Sequence, residues 1–515
     1  MLPFPLDRAR PAPTLQEQIY RTIRDRVIGG QLPAGARLPS TRDLARDLGV
    51  SRNTVILAFD WLAAEGYLER ARGSGTFVAR LLPADLPPPP TVAPPSDLSR
   101  DNALSASGEN ALPASGDNAV PASGDNAVPA SGDNAPPAPP PIEPPVLAHE
   151  EAGRPVFDFW YGRPDPRLFP VRAWRMLGGM VLGACARGLA EYGDRGGDPA
   201  LRAAIASYLA GARGLVAAPD QVIITAGAQE GLNLIARLLI EPGTPVGFEA
   251  PGYDAAARVF EAHGARIHPG RVDREGLDPA SLRAARPRVV FVTPSHQFPT
   301  GAVMSLDRRR ALIEQVARQG GRLVEDDYDG EIVYEGPPVA ALAALDGLQR
   351  TLYVGSFSKT LGNGLRIGYV VVPRSLVPAA RALKGLMSYG QSWLDQQILA
   401  AFLASGRFER HLRRLRVTCR ARRDAARAGL IARFGPGLRI DGAQAGMHLY
   451  CTLPPEAPPA RVVAQEARAV GVGLYPAQDS GLRAGDADLS RDLIVGYAAL
   501  TPEEITRALG RLTRS

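Results

Sequence analysis

The sequence predicts an α/β protein in two folded parts: a small head of helices closed by a hairpin, and a large body wound around a mostly parallel sheet. Three observations carry this. From about Pro155 to Ser515, apolar runs such as "QVIIT", "RVVFV", "RLVED" and "TLYVGS" alternate with helical patterns, which is the signature of a wound α/β sheet. Within residues 1–80, two short helical patterns are separated by a glycine break at helix-turn-helix spacing. Between head and body, residues 81–154 are rich in Pro, Ala, Ser and Gly. A chain of 515 residues is also too long for one core, so more than one domain is expected.

In the head, "LQEQIYRTIRDRVIGG" places Leu15, Ile19, Ile23 and Val27 on one helical face that stops at Gly29-Gly30. "LPSTRDLARDLGVSRNTVILAFDWLAAEGYL" then predicts a helix capped by Ser40, a break at Gly49 and a second helix capped by Ser51. Leu44, Leu48, Val50, Val55, Phe59 and Leu62 are spaced as core. "LERARGSGTFVA" follows as a small hairpin. A helix pair of this design sets its second helix in the major groove of double-stranded DNA. Ser51, Arg52, Asn53 and Thr54 at its start are candidates for base edges and phosphates; Ser40, Arg42, Arg70 and Arg72 are candidates for the backbone.

The tether contains an eight-residue repeat from Ser107, "SGENALPA", "SGDNAVPA", "SGDNAVPA", "SGDNAPPA". It is too poor in large apolar residues to offset its ordering entropy and is expected to be disordered. As a random coil it spans about 45 to 50 Å r.m.s.. Charge follows the same boundaries: residues 1–80 carry 12 Arg against 8 acids, and residues 81–150 one Arg against 9. A total of +6 is mild and identifies no nucleic-acid binder by itself. Cys185, Cys419 and Cys451 lack CxxC or CxH pairing, and His263, His268, His296, His411 and His448 show no ligand spacing, so no metal site or disulfide framework is expected; of these histidines only His296 is set apart, for its place in "TPSHQFPTG". Without a signal-like N-terminus or an apolar run long enough for a bilayer, the chain is expected to be soluble and cytoplasmic, with no membrane partner.

In the body, "GSFSKTLGNGLRIGY" holds Lys359, one of only two lysines among 59 basic residues; the other is Lys384. An amine can lose its proton at modest cost and condense with an aldehyde, which a guanidinium does not do. Lys359 follows the apolar run "TLYVG", at the strand end where α/β sheets place ligands. Asp326 ends another such run, in "RLVEDDYDGE". An amine and a carboxylate so placed suit pyridoxal 5'-phosphate: a Schiff base on Lys359, with Asp326 keeping the pyridine nitrogen protonated. "QVIITAGAQEGLNLIARLL" predicts a strand, a turn at Gly227 and a helix opening at Ala228 and Gln229, whose N–H groups make an anion site. Ser356, Ser358 and Arg366 flank Lys359 and complete a candidate phosphate cradle.

The order of features over residues 14–79 resembles the winged helix-turn-helix of GntR-type bacterial regulators, which implies a wing tip near Gly73 to Thr76, including Gly75, in the minor groove and binding to operators as dimers. Residues 155–515 resemble the fold type I pyridoxal-phosphate enzymes, the aspartate aminotransferase superfamily. "FEAPGYD" is similar to the segment whose aromatic, here Tyr253, stacks on the cofactor. "TPSHQFPTG" is similar to the family's Asn-Pro-x-Gly turn, "EDDYDGE" to its Asp and Tyr pair with Tyr328 at the phenolic oxygen, and "SFSKTLGNGLRIG" to its Schiff-base motif. The chain departs from that pattern at Phe298, where the turn usually has Asn, and at Ile494, where many aminotransferases carry a carboxylate-clamping arginine; Arg491 is the candidate substitute. The combination resembles the MocR/GabR regulators. It implies a homodimeric, cofactor-binding transcription regulator that senses an amino acid, an amine or a B6 vitamer through aldimine chemistry. The alternative is an active aminotransferase with an autoregulatory DNA-binding head, against which both departures count.

Overall fold

The computed structural model describes residues 15–28, 31–33, 35–64, 67–71, 75–78, 154–184, 187–335, 340–481 and 483–512. The octapeptide repeats, Arg72 and the first residues of the expected wing tip lie outside the described residues. The chain divides into two compact units, one mostly head and one mostly body, and head and body are each described by themselves.

The head comprises α1 (Leu15–Ile28), α2 (Thr41–Leu48), α3 (Arg52–Ala64), β1 (Leu68–Ala71) and β2 (Gly75–Val78). Ile19, Ile23 and Val27 of α1, Leu44 and Leu48 of α2, and Val55, Phe59 and Leu62 of α3 are all buried, as their spacing predicts. Ser40 caps α2 by accepting the Asp43 N–H at 3.2 Å, and Gly49 closes it at φ +61°. Ser51 caps α3 by accepting the Thr54 N–H at 3.1 Å. The hairpin gains a third extended segment that the sequence reading missed. Leu38 N–H donates to Thr76 O at 2.9 Å and Val78 N–H to Ala36 O at 2.8 Å, so the chain just before α2 pairs with β2.

The body opens with β3 (Phe157–Asp158), α4 (Val171–Ala184) and α5 (Pro199–Arg213). The alternating region runs β4 (Val222–Thr225), α6 (Ala228–Leu239), β5 (Pro245–Ala250), α7 (Asp254–Ala262), β6 (Arg266–Asp273), β7 (Gly276–Leu277), β8 (Val289–Val292), α8 (Leu306–Arg318), β9 (Arg322–Asp327), α9 (Leu342–Leu345), β10 (Thr351–Ser356) and β11 (Gly368–Val371). Three helices follow, α10 (Val377–Ser388), α11 (Trp393–Ala404) and α12 (Arg407–Phe434). The last part holds β12 (Arg439–Asp441), β13 (His448–Thr452), α13 (Ala460–Ala469), β14 (Val472–Gly473), β15 (Tyr475–Pro476), β16 (Asp492–Gly496) and α14 (Pro502–Gly510).

Eight of these strands form one sheet in the order β4-β11-β10-β9-β8-β5-β6-β7. Pairings among β10, β9, β8, β5 and β6 are parallel, and β11 runs antiparallel between β10 and β4. Alternate residues feed opposite layers, as a pleated strand requires. Ile223, Leu352, Val354, Val370 and Val372 pack with α6, α7 and α10, whereas Val222, Ile224, Tyr353, Tyr369 and Val371 pack with α5, α11 and α12. Because β11 reverses twice over, β4, β9 and β10 point the same way and end at one edge. A second, antiparallel sheet has the order β12-β13-β16-β15. Among the described residues no helix is long and apolar enough to cross a membrane.

Candidate functional site

The shared edge of β4, β9 and β10 brings the predicted body residues together. Val354 of β10 lies opposite Asp326 of β9, and Lys359 follows three residues after β10 ends. Lys359 Nζ donates to the Gly162 carbonyl at 2.8 Å, so a segment from the start of the body reaches the predicted amine. Gly162 has φ +74°, and a Cβ there would stand 2.8 Å from Nζ. This partner was not read from the sequence, since a lone glycine 197 residues away carries no motif.

Burial and charge oppose each other at this edge. Desolvation lowers the Lys359 pKa below the usual lysine range, while Asp329 and Asp326 pull it up. Asp326 is pushed up to about 7, first by burial and then by the neighbouring Asp327, with Lys359 acting in the other direction. Its Oδ1 is buried and has no hydrogen-bond partner in the protein. A buried carboxylate oxygen in this state lacks a donor, and a pyridinium N–H is a donor of the required kind.

The residues of the candidate cradle meet at the N-terminus of α6. Gly227 precedes the helix at φ +84° and ψ 178°, a conformation that favours glycine. The Arg366 guanidinium covers it, standing 3.1 Å from where a Cβ would be, and donates to Ala226 O at 2.6 Å. Ala226 N–H is in turn held by Glu230 Oε2 at 2.5 Å. Ala228 and Gln229 begin the helix, whose first-turn N–H groups cannot reach an intrahelical carbonyl. Ser356 Oγ accepts the Ser358 N–H at 3.2 Å and donates to Ser358 Oγ at 2.9 Å.

Aromatic side chains line the same region. Tyr253, pushed up to about 12 by burial, meets Phe298 edge-on at 5.8 Å and accepts a hydrogen bond from Gln229 at 3.4 Å. Phe298 also packs against Tyr161 at 5.6 Å and Tyr328 at 6.1 Å. Tyr328 Oη lies 3.1 Å from His296 Nδ1, which is 2.9 Å from Asp329 Oδ2. His448 stands behind His296 with ring centroids 5.1 Å apart. The histidines lack motif spacing because they come from β13 and from the turn after β8, 152 residues apart.

Arg491 does not face this region. Its guanidinium donates to the carbonyls of Leu453, Pro454 and Ala457, tying down the loop after β13. Ile494 is fully buried on β16 in an apolar group with Tyr450, Ala477 and Leu489. The candidate substitute for a carboxylate clamp is therefore a structural residue.

In the head, Ser40, Arg42, Ser51 and Arg52 are exposed and Thr54 is half-buried at the starts of α2 and α3. Arg52 Nε donates to Thr41 Oγ1 at 3.4 Å, so its guanidinium lies across both helix starts. Gly75 opens β2 at φ +117°, against the Arg37 side chain. Asn53 and Arg70 lie on α3 and β1, respectively.

Residues 15–78 match the gntR family of bacterial regulatory proteins, and residues 183–512 match aminotransferase class I and II. The chain is 33% identical to the probable rhizopine catabolism regulatory protein MocR of Rhizobium meliloti, over 98% of this chain and 94% of that protein. It is 32% identical to the transcriptional regulator TauR of Rhodobacter capsulatus, over 98% and 96%. The solved structure of the α-aminoadipate aminotransferase LysN from Thermus thermophilus, complexed with N-(5'-phosphopyridoxyl)-L-leucine, covers 69% of this chain and 91% of its own, at 27% identity and TM-score 0.63. A gntR-type winged helix-turn-helix followed by an aminotransferase-fold body, matched over nearly full length to such regulators, places the chain in the MocR-type family of HTH transcriptional regulators.

Proposed function

We propose that the body holds pyridoxal 5'-phosphate and senses a small effector, and that the head passes the result to an operator on double-stranded DNA in the cytoplasm. The observation that carries this is Asp326, a buried carboxylate with an orphaned oxygen beside the strand that delivers Lys359. In this reading Lys359 holds the aldehyde covalently. Asp326 accepts the ring N–H, Tyr253 covers the ring face, and Tyr328 donates to the phenolic oxygen. The phosphate rests on the N-terminus of α6 at Ala228 and Gln229, with Ser356, Ser358 and Arg366 around it. When bound, the group supplies an aldehyde that exchanges one amine for another.

An incoming effector meets Tyr161, Tyr253, Phe298 and Tyr328, with apolar Ile494 at the position of the usual clamp. These surroundings favour an amine or a B6 vitamer over an amino acid held by its carboxylate. Ligand preference for one of two body conformations then shifts how the heads occupy DNA. Ser40, Arg42, Ser51, Arg52, Asn53, Thr54, Arg70, Arg72 and Gly75 are the residues proposed to contact DNA. Two bodies pair as a homodimer, which would cover apolar side chains left exposed on one chain, among them Met180, Tyr192, Leu386 and Tyr389. Incubation with pyridoxal 5'-phosphate, borohydride reduction and peptide mass spectrometry test the reading: a pyridoxyl mark on the Lys359 peptide is expected, lost in Lys359→Ala with operator binding retained. An unmarked peptide overturns it.

A further inference from the structure

His296 occupies a socket built for it. Gly301, Gly442 and Gly446 surround the imidazole with φ of +71°, +77° and +78°. A Cβ on Gly446 would fall 2.3 Å from His296 Cε1 and 2.5 Å from Asp329 Oδ2. On Gly301 or Gly442 it would come within 2.9 or 3.3 Å of His296 Nε2. Three left-handed glycines from two distant segments thus leave room for one ring, which is buried together with Asp329.

The hydrogen bonds give the ring a direction. Asp329, as a carboxylate, only accepts, so the Nδ1 atom 2.9 Å away carries a proton. Tyr328 Oη, 3.1 Å from that same Nδ1, is then an acceptor of the shared N–H, and its own hydrogen is free to point elsewhere. Nε2 faces Gly442 O at 3.4 Å. Burial alone would discharge the ring, yet the Asp329 charge and the hydrogen bonds to Asp329 and the Gly442 carbonyl leave its pKa raised. The other histidine beside it, His448, donates its Nε2–H to Pro299 O at 2.9 Å and is pushed down to about 4, mainly by burial and then by His296. Two residues along from His296, Phe298 brings no hydrogen-bonding group to the Tyr328 ring it packs on.

We propose that His296, fixed by Asp329, is a positioning residue that turns the Tyr328 hydroxyl hydrogen toward the phenolic oxygen of the cofactor, supplying through Tyr328 the polar control that Phe298 cannot. This rests on the cofactor reading above. The role belongs to Nδ1, so an Asn at 296, whose amide nitrogen reaches the Nδ1 position, keeps it. Leu or Gln does not.

The test uses the full-length protein loaded with pyridoxal 5'-phosphate, and titrates the near-visible absorbance of the bound chromophore against pH. A donor to an anionic oxygen holds its proton affinity down, so losing it raises the midpoint by about one unit. Tyr328→Phe and His296→Leu are expected to shift alike, their double variant no further, and His296→Asn to titrate like the parent. His296→Gln replaces His296→Leu should the latter not fold. A parent-like His296→Leu, or equal shifts in His296→Leu and His296→Asn, overturns the proposal. A second measurement separates it from the cofactor reading: ring ¹⁵N shifts of histidine-labelled protein without added cofactor. A ring protonated at Nδ1 and missing in His296→Asn is expected; a His296 proton on Nε2 alone overturns the proposal whether or not the cofactor binds.

Discussion

Lys384→Arg is the substitution that this chain's composition makes look harmless and its structure makes costly. All but two of the 59 basic residues are arginine, and Lys384 is one of the exceptions. Its side chain, on α10, is 0% exposed, with Nζ 3.1 Å from Glu230 Oε1 and hydrogen-bonded to Ser388 Oγ. An arginine adds volume to an enclosed site, at about 1–3 kcal/mol for overpacking. Its planar fork also carries five N–H groups toward two known acceptors, and each one left buried without a partner costs about 1–3 kcal/mol. Allowing for partial relaxation, we expect a loss of about 2–4 kcal/mol. Lys384→Met keeps the length and removes the charge. Breaking a buried pair costs about 3–5 kcal/mol, but Glu230 retains the Ala226 N–H at 2.5 Å and Gln391 at 2.9 Å, so about 2 kcal/mol is expected here. Urea unfolding of the full-length protein, followed by tryptophan fluorescence, measures both. Because Glu230 anchors the Ala226 peptide that Arg366 holds from its other side, both variants should also bind pyridoxal 5'-phosphate more weakly. A Lys384→Arg protein within about 0.5 kcal/mol of the parent would refute this account of why the lysine persists.

Other expectations concern the cofactor edge and the head. Asp326 has its folded pKa raised from 3.8 to about 7, so between those values the folded chain keeps a proton that the unfolded chain has lost. Stability contributed by the protonated group therefore falls as pH rises through that window. Cofactor-free Asp326→Asn should gain on the parent from pH 4 to 7 and hold its lead above; parallel urea midpoints at pH 5 and pH 8 would contradict this. Gly227→Ala forces a side chain into a glycine-only conformation, at about 1–3 kcal/mol, and against Arg366. It should lower pyridoxal 5'-phosphate affinity in a fluorescence titration, and unchanged affinity would remove Gly227 from the cradle. Arg52→Ala should weaken operator binding by about 1–3 kcal/mol at fixed salt while leaving pyridoxal 5'-phosphate uptake intact, read by gel shift and absorbance.

The parts of the site that could be read from sequence are those fixed by local pattern. Gly227, Asp326 and Lys359 each follow an apolar strand run, and strand ends in a parallel sheet converge without further information. The capping serines of the head were legible for the same reason: a cap needs only its own next three residues. What the sequence hid is long-range. Gly162 holds the Lys359 amine from 197 residues away, and the glycines around His296 lie on both sides of a gap of more than 140 residues. Arg491 shows the opposite error, since its place near Ile494 suggested a ligand role when loop carbonyls had already taken its guanidinium. The segment paired with β2 has no alternation to mark it, being held by a few backbone bonds to residues 76 and 78.

The enclosure of Lys384 bears on chemical selectivity. A free aldehyde is captured by whatever unprotonated side-chain amine can reach it, whereas guanidinium groups leave it alone. With Lys384 enclosed on α10 and every basic residue besides the two lysines an arginine, Lys359 is the one side-chain amine the body leaves to a wandering carbonyl. Scarcity of decoys does there what a tighter pocket would otherwise have to do.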